Sequence, residues 1–290
     1  MLREQAAGHG EPLATDAAMT LEAGGKRLRP MLVLLSAGEE AGEGAVRAAA
    51  AIELVHMATL VHDDVLDAAP LRRGRPTVAA TAGRERATAT GDLLFSRAFA
   101  LLAAAGEQRS IELLSAASVA LAQGELAQRH DAYDTAIDEE RYLERCRLKT
   151  GALFECACRL GCDAEELGAF GASVGLAFQL LDDVLDVSGP AERTGKARGT
   201  DLLDGTVTLP LIVAADRDPQ IREADLRSLD PSGAEALCDR IESTGALRLV
   251  RSRALELVAE GKRKLGPAGF DAERRRLFDL VADGVVQRYS

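Results

Sequence analysis

An all-α protein is predicted by three features of the sequence. Alanine and leucine, both strong helix formers, dominate the composition. Runs of β-branched residues are few, and no stretch shows the even spacing of short strands that an all-β fold would need. From Thr15 onward, apolar residues recur at helical spacing in segments separated by short Gly, Pro and Asp punctuation.

Taken in order, the first clear helix runs over residues 44–66, where Ala51, Leu54, Val55, Ala58, Val61 and Val65 recur at roughly helical spacing. Two prolines and a glycine in APLRRGRPT make residues 69–77 a loop. Helices follow over residues 89–105, 110–130, 139–160 and 165–187. Residues 188–206, rich in Gly, Pro and charge, form the longest irregular segment. Helices resume from residue 208, and residues 246–265 are the most clearly amphipathic. No linker interrupts the chain, so residues 1–290 are expected to form a single domain, with residues 1–14 a poorly ordered N-terminal segment.

The 290 residues are 47% hydrophobic and 28% charged, the profile of a globular chain. A net charge of −11, from 46 acidic and 35 basic residues, argues against a general nucleic-acid binder. The opening MLREQAAGHG lacks the uninterrupted apolar core of a signal peptide, and no apolar stretch is expected to approach the ~20 residues of a membrane span. The expected location is cytoplasmic. Cys146, Cys156, Cys158, Cys162 and Cys238 are odd in number and contain no CxxC pair, so they read as small core residues.

The pentapeptide DDVLD occurs twice, at residues 63–67 and 182–186. In a helix, Asp63 and Asp67 stack one turn apart with Asp64 on the flank, and the same holds for Asp182, Asp186 and Asp183. Two like charges ~4 Å apart repel by roughly 4 kcal/mol at an effective dielectric of about 20. A solvated helix end would relieve that, and for one motif alone it is the simpler reading. Both motifs, however, follow apolar runs, IELVHMATLV and VGLAFQLL, and both precede basic loops that contain glycine, LRRGRP and RTGKARGTD. Oxygen ligands without His or Cys favour Mg²⁺, which bridges carboxylates to substrate phosphates. Basic side chains nearby would hold the remaining phosphate oxygens. The expected ligand has a diphosphate head and a hydrocarbon tail.

Further residues fit such a site. GGKRLRP offers Lys26, Arg27 and Arg29 as an anion cradle, although basic loops are commonly just solvated. Lys149 and Thr150 stand in an apolar helix, where the lysine either finds a partner or snorkels. His56 lies two turns before Asp63 on the same face. Gln179 is a neutral polar group one turn ahead of Asp183.

These pieces, GGKRLRP, HDDVLD, LRRG, Gly91–Asp92, KTG, FQLLDDVLD, Gly195–Lys196 and DLLDGTVTLP, stand in the order of the trans-type (E-) isoprenyl diphosphate synthases, which the chain resembles from Gly24 to Leu211. The resemblance implies the isoprenoid synthase fold, a bundle of antiparallel helices around a deep central cavity. It implies condensation of isopentenyl diphosphate with an allylic diphosphate and three Mg²⁺ per site with substrate bound. Asp63, Asp64 and Asp67 would hold Mg²⁺ on the allylic diphosphate, and Asp182, Asp183 and Asp186 would hold the remainder. Lys26, Arg29, His56 and Arg73 match positions that grip isopentenyl diphosphate; Arg72 matches one that contacts the allylic diphosphate. Lys149, Thr150, Gln179 and Lys196 match positions around the allylic diphosphate and the nascent cation. Thr206 stands where many members have Lys.

Family members that stop at short products carry a bulky side chain at the position of Ala58 or Thr59. Small residues there, with Val55 a turn further back, resemble medium- and long-chain members. Phe95 and Phe99 leave geranylgeranyl diphosphate open as the product. The resemblance also implies a homodimer and a product delivered to a membrane, while a catalytic subunit that needs a partner remains an alternative. A terpene cyclase fits poorly, since it has no use for the second set of diphosphate contacts.

Overall fold

The computed structural model describes residues 1–7, 10–189, 198–266 and 270–287. It is all-α: among these residues the only strands are two short ones, β1 (Leu71–Arg72) and β2 (Arg75–Pro76). Contacts divide the chain into two compact units, Met1–Ser118 with Cys156–Asp163, and Val119–Glu155 with Ala164–Ser290.

The first unit holds α1 (Leu2–Ala7), α2 (Leu13–Glu22), α3 (Leu28–Ala37), α4 (Glu43–Leu66), the β1–β2 hairpin, α5 (Val78–Ala82) and α6 (Arg84–Ala103). Its centre is α4, which lies against α6 and α3. Residues 48–55 are buried without interruption, because four successive alanines let neighbours approach on every side. Such a helix is apolar all round. Leu32, Leu54, Met57, Leu94 and Leu102 complete the core. Asp16, buried on α2, accepts two hydrogen bonds from Arg86 of α6 at 2.5 and 2.8 Å. Within residues 1–14, Leu2–Ala7 form α1, where Arg97 donates to Gln5 at 2.6 Å and Ala6 is buried.

The second unit contains α8 (Glu139–Cys146), a π-helical turn (Arg147–Gly151), α10 (Glu165–Ser188), α11 (Thr200–Leu203), α12 (Leu209–Ala215), α13 (Pro219–Arg222), α14 (Pro231–Ser243), α15 (Ala246–Lys264) and α16 (Ala272–Gln287). Here α10 is central and lies along α15. Phe170 meets Phe278 edge-on at 5.2 Å, which ties α10 to α16. Asp138 caps α8 by accepting from the Arg141 N–H at 2.8 Å. α7 (Gln108–His130) and α9 (Ala152–Gly161) contribute residues to both units.

The structure corrects two expectations. Residues 139–160 are not one regular helix, since the π turn at Arg147–Gly151 separates α8 from α9. The membrane reading also changes: α4 and α10 are each 24 residues long and apolar enough to cross a membrane by length and composition. Most of each apolar window is buried among the protein's own helices, which accounts for the hydrophobicity. Residues 190–197 of the irregular segment, including Lys196, lie outside the described residues.

Candidate active site

The first aspartate motif closes α4. Asp63 and Asp64 occupy the last turn, and Asp67 is the C-cap, its N–H donating to the Asp63 carbonyl at 2.8 Å. The three aspartates are not equivalent: Asp64 is buried, Asp63 half-buried and Asp67 exposed. Arg72 Nε donates to Asp64 Oδ1 at 2.6 Å. The β1–β2 hairpin delivers that arginine, and Thr77 anchors the loop by donating to the Ala69 carbonyl at 2.7 Å. The middle aspartate thus holds the loop to the helix, while Asp63 and Asp67 are the more exposed members of the motif. A small cavity beside Asp64 is lined by Met19, Thr20, Leu60, Arg72, Arg73 and Thr77.

The same unit gathers the basic residues. Burial, reinforced by Arg29, Arg73, Arg72 and Arg27, pushes the His56 imidazole well below its usual range, so the ring is neutral. Burial also lowers Arg29 to about 10, partly offset by Glu53 and deepened by Arg73. Glu53 is the buried counter-charge and pairs with Arg27, whose guanidinium also donates to the Leu21 carbonyl at 2.7 Å. Arg73 donates to the Gly24 carbonyl and so ties the hairpin to the GGKRLRP loop. Lys26 stands exposed in that loop. Four guanidiniums act on the His56 imidazole, and with Glu53 and Asp64 as buried counter-charges the cluster keeps an excess of positive charge that an anion would offset. His62, stacked on Phe95 with ring centroids 5.9 Å apart, lies 3.3 Å from Asp92 and takes no place in that cluster.

Below the motif, Val55 and Ala58 are completely enclosed, whereas Thr59 is half-buried on the Asp63 side of α4. Of the three residues expected to line a tail, Thr59 is the one with an open face.

The second unit carries the other motif near the end of α10. Asp182 is exposed, Asp186 half-buried and Asp183 buried. Once more the middle aspartate is held from behind. Tyr142 Oη donates to Asp183 Oδ2 at 2.5 Å, and Gln179 Nε2 donates to Asp183 Oδ1 at 2.8 Å. Thr150 Oγ1 then donates to Gln179 Oε1 at 2.7 Å. Burial pushes the Asp183 carboxyl up to about 8, with Asp201 and Asp182 adding to the rise and the two donors opposing it. Burial, with Asp183 beside it, raises the Tyr142 phenol well above its ordinary value, so Tyr142 stays a donor. Asp186 accepts from the Asp201 N–H at 3.2 Å, which brings the DLLDG segment back to the motif. Thr206 continues that turn, its N–H donating to the Asp201 carbonyl at 2.7 Å.

Lys149 and Thr150 lie in the π turn, a distortion found often at functional sites. Lys149 Nζ is 2.5 Å from Glu125 Oε2. Burial alone would raise Glu125, but Lys149 and Arg129 outweigh it and hold the carboxyl below its usual value. Next to it, Gly124 lets α7 touch the turn: a Cβ there would stand 2.6 Å from the Lys149 nitrogen.

Glu53, Glu125 and Tyr142 escaped the sequence reading, and Asp201 stood there only within RTGKARGTD and DLLDGTVTLP, with no role of its own. Tyr142 alone left a signal, since seven residues before Lys149 is two helical turns.

These features match a known family, since the family model described as "Polyprenyl synthetase" covers residues 11–236. The chain belongs to the polyprenyl synthetase family. Polyprenyl synthetases of this kind are trans-prenyltransferases, and the relatives carry corresponding names. Heptaprenyl diphosphate synthase component 2 of Geobacillus stearothermophilus is 43% identical over 223 residues, 73% of this chain and 69% of the relative. Octaprenyl diphosphate synthase of Escherichia coli is 37% identical over 248 residues, 80% and 77% of the two chains. Among solved structures, a polyprenyl synthase from Caulobacter crescentus CB15, complexed with calcium and isoprenyl diphosphate, superposes with a TM-score of 0.93 at 32% identity. That match covers 100% of this polyprenyl synthetase and 93% of the other chain.

Proposed function

We propose that this polyprenyl synthetase condenses isopentenyl diphosphate with an allylic diphosphate (geranyl, farnesyl or geranylgeranyl) into a longer, all-trans polyprenyl diphosphate of medium or long chain. The observation that carries this reading is the convergence of Arg27, Arg29, Arg72 and Arg73 near the neutral His56, in the unit that also ends α4 in an aspartate motif. That is a diphosphate grip beside carboxylates.

The donor set fits a divalent cation. Among the described residues no three His, Cys, Asp or Glu side chains converge into a preformed metal cage. Mg²⁺ needs none, since it keeps waters and takes one or two carboxylates plus substrate phosphates. Asp63 and Asp67, and Asp182 and Asp186, present the more open oxygens and would hold it, while Asp64 and Asp183 support from behind. Mg²⁺ held there, three per site in this reading, would supply positive charge to offset that of the departing diphosphate.

The remaining work falls to the chain. Arg29, Arg73, Lys26 and His56 bind isopentenyl diphosphate, with His56 as a neutral hydrogen-bonding group. Arg72, Lys149 and Lys196 bind the allylic diphosphate. Gln179 Oε1, Thr150 Oγ1 and the Lys149 carbonyl stabilise positive charge on the allylic carbon. The double bond of isopentenyl diphosphate attacks that carbon, and the departing pyrophosphate accepts the proton. No protein general base is required. In this reading residues 1–290 are one catalytic domain of a cytoplasmic homodimer that passes its product to a membrane.

A second reading rests on one relative. The Geobacillus relative is named component 2, so a partner subunit is a specific alternative to the homodimer. A geranylgeranyl product is the alternative for chain length, matched by a geranylgeranyl diphosphate synthase of Methanosarcina mazei at 32% identity over 284 residues, 92% of this chain and 87% of the relative. Continuous measurement of pyrophosphate release tests the reaction. Release is expected only with isopentenyl diphosphate, farnesyl diphosphate and Mg²⁺ together; release from farnesyl diphosphate alone would support a cyclase or hydrolase instead.

A further inference from the structure

We infer that Tyr142 is a positioning residue for the reaction, acting through Asp183 on Gln179, and that its hydroxyl serves to hold the Gln179 amide in one orientation. This inference rests on the proposed condensation and adds a residue to it.

Each contact limits the next. Asp183 is 3% exposed, and its two oxygens face two different donors, Tyr142 Oη at 2.5 Å and Gln179 Nε2 at 2.8 Å. A carboxylate only accepts, so the amide must turn Nε2 toward it and Oε1 away. On that other side Thr150 Oγ1 donates to Oε1 at 2.7 Å. A proton on Oδ2 would reverse the tyrosine contact but leave Oδ1 accepting from Gln179. The orientation therefore survives protonation of the oxygen that faces Tyr142.

Without the Tyr142 hydroxyl, Asp183 has no second donor and is free to rotate within its buried site. The Gln179 amide then loses its fixed acceptor. A flipped amide would present N–H groups where an oxygen must face positive charge, which opposes the developing cation. Tyr142 itself is 1% exposed at the base of α8, two turns before Lys149, and does not reach the open face of the site. The effect is thus expected in turnover rather than in substrate binding.

The test is a double-mutant cycle on the full chain with Tyr142→Phe, Gln179→Ala and both together. Thermal shifts with Mg²⁺ and inorganic pyrophosphate are read alongside kcat and KM. Tyr142→Phe is expected to lower kcat about tenfold, the cost of one buried hydrogen bond, with both KM values within about twofold of wild type. It keeps the pyrophosphate thermal shift. In the Gln179→Ala background, Tyr142→Phe is expected to change kcat by less than about twofold.

Additive effects, an unchanged kcat, or a Phe variant that fails to fold would overturn the inference, the last by making the hydroxyl purely structural. A wild-type chain that turns over normally beside an additive pair would leave the proposed function standing. A wild-type chain without elongation would remove both.

Discussion

Lys149 Nζ lies 2.5 Å from Glu125 Oε2, so an ammonium placed in an apolar helical stretch has its counter-charge on α7. Glu125 is only 19% exposed, and the pair is therefore better shielded than a surface ion pair. Gly124 fixes the distance between α7 and the turn that carries Lys149. In the proposed reading that carboxylate keeps the lysine in place for the allylic diphosphate.

Glu125→Gln removes the charge and keeps the shape. Losing one charge-assisted contact of about 1.5 kcal/mol is expected to lower kcat/KM for the allylic diphosphate roughly tenfold. Steady-state kinetics with each substrate varied in turn check this. An unchanged value would mean that Glu125 only balances charge.

Arg72→Met leaves Asp64 as a buried carboxylate without its guanidinium. Removing one partner of such a pair is expected to cost about 3 kcal/mol of stability. The double variant Arg72→Met with Asp64→Leu should recover much of the loss. Denaturant unfolding of wild type and the two variants reads both effects. If Asp64 served chiefly as a metal ligand, Arg72→Met would leave stability near that of wild type.

His56 gives the protein a pH dependence. Its folded-state pKa is depressed by burial and by Arg29, Arg73, Arg72 and Arg27, while the unfolded chain titrates near 6.5. Below that value the unfolded state binds the extra proton, so stability present above about pH 6.5 is lost as the pH falls. Asp183 works oppositely: its raised pKa of about 8 makes its contribution largest at low pH and lost as the pH rises through about 8. Comparing wild type with His56→Asn cancels that second effect. Between pH 7.5 and 5.5 the wild-type Tm should fall relative to the variant; parallel profiles would contradict a buried neutral imidazole.

Chain length should respond at Thr59. It is the half-buried residue on the Asp63 side of α4, where Val55 and Ala58 are enclosed. Thr59→Phe is expected to shorten the main product by at least one isoprene unit with stability little changed. Ala58→Phe must also overpack the core, which costs about 1–3 kcal/mol. Chromatography of dephosphorylated products and thermal unfolding separate the two. Identical product lengths for wild type and Thr59→Phe would remove Thr59 from the tail path.

The helical fold was legible because periodicity survives in single stretches: α4, α7 and α10 lie close to their expected spans. The π turn was not legible, since nothing in RLKTG marks it and its close contact with Gly124 comes from a helix remote in sequence. The two aspartate motifs and the basic loops could be read from local spacing. The differing roles of their aspartates could not, because Asp64 is set apart by Arg72 across a hairpin and Asp183 by Tyr142 from another helix. Glu53 and Glu125 were hidden for the same reason: each is defined by a cation remote in sequence.

The most direct measurement is elongation itself. Purified chain, Mg²⁺, farnesyl diphosphate and radiolabelled isopentenyl diphosphate are incubated, and the dephosphorylated products are sized against prenyl alcohol standards. The account predicts a Mg²⁺-dependent ladder of all-trans products that extends beyond geranylgeranyl. No incorporation of label, with or without a partner subunit, would contradict it.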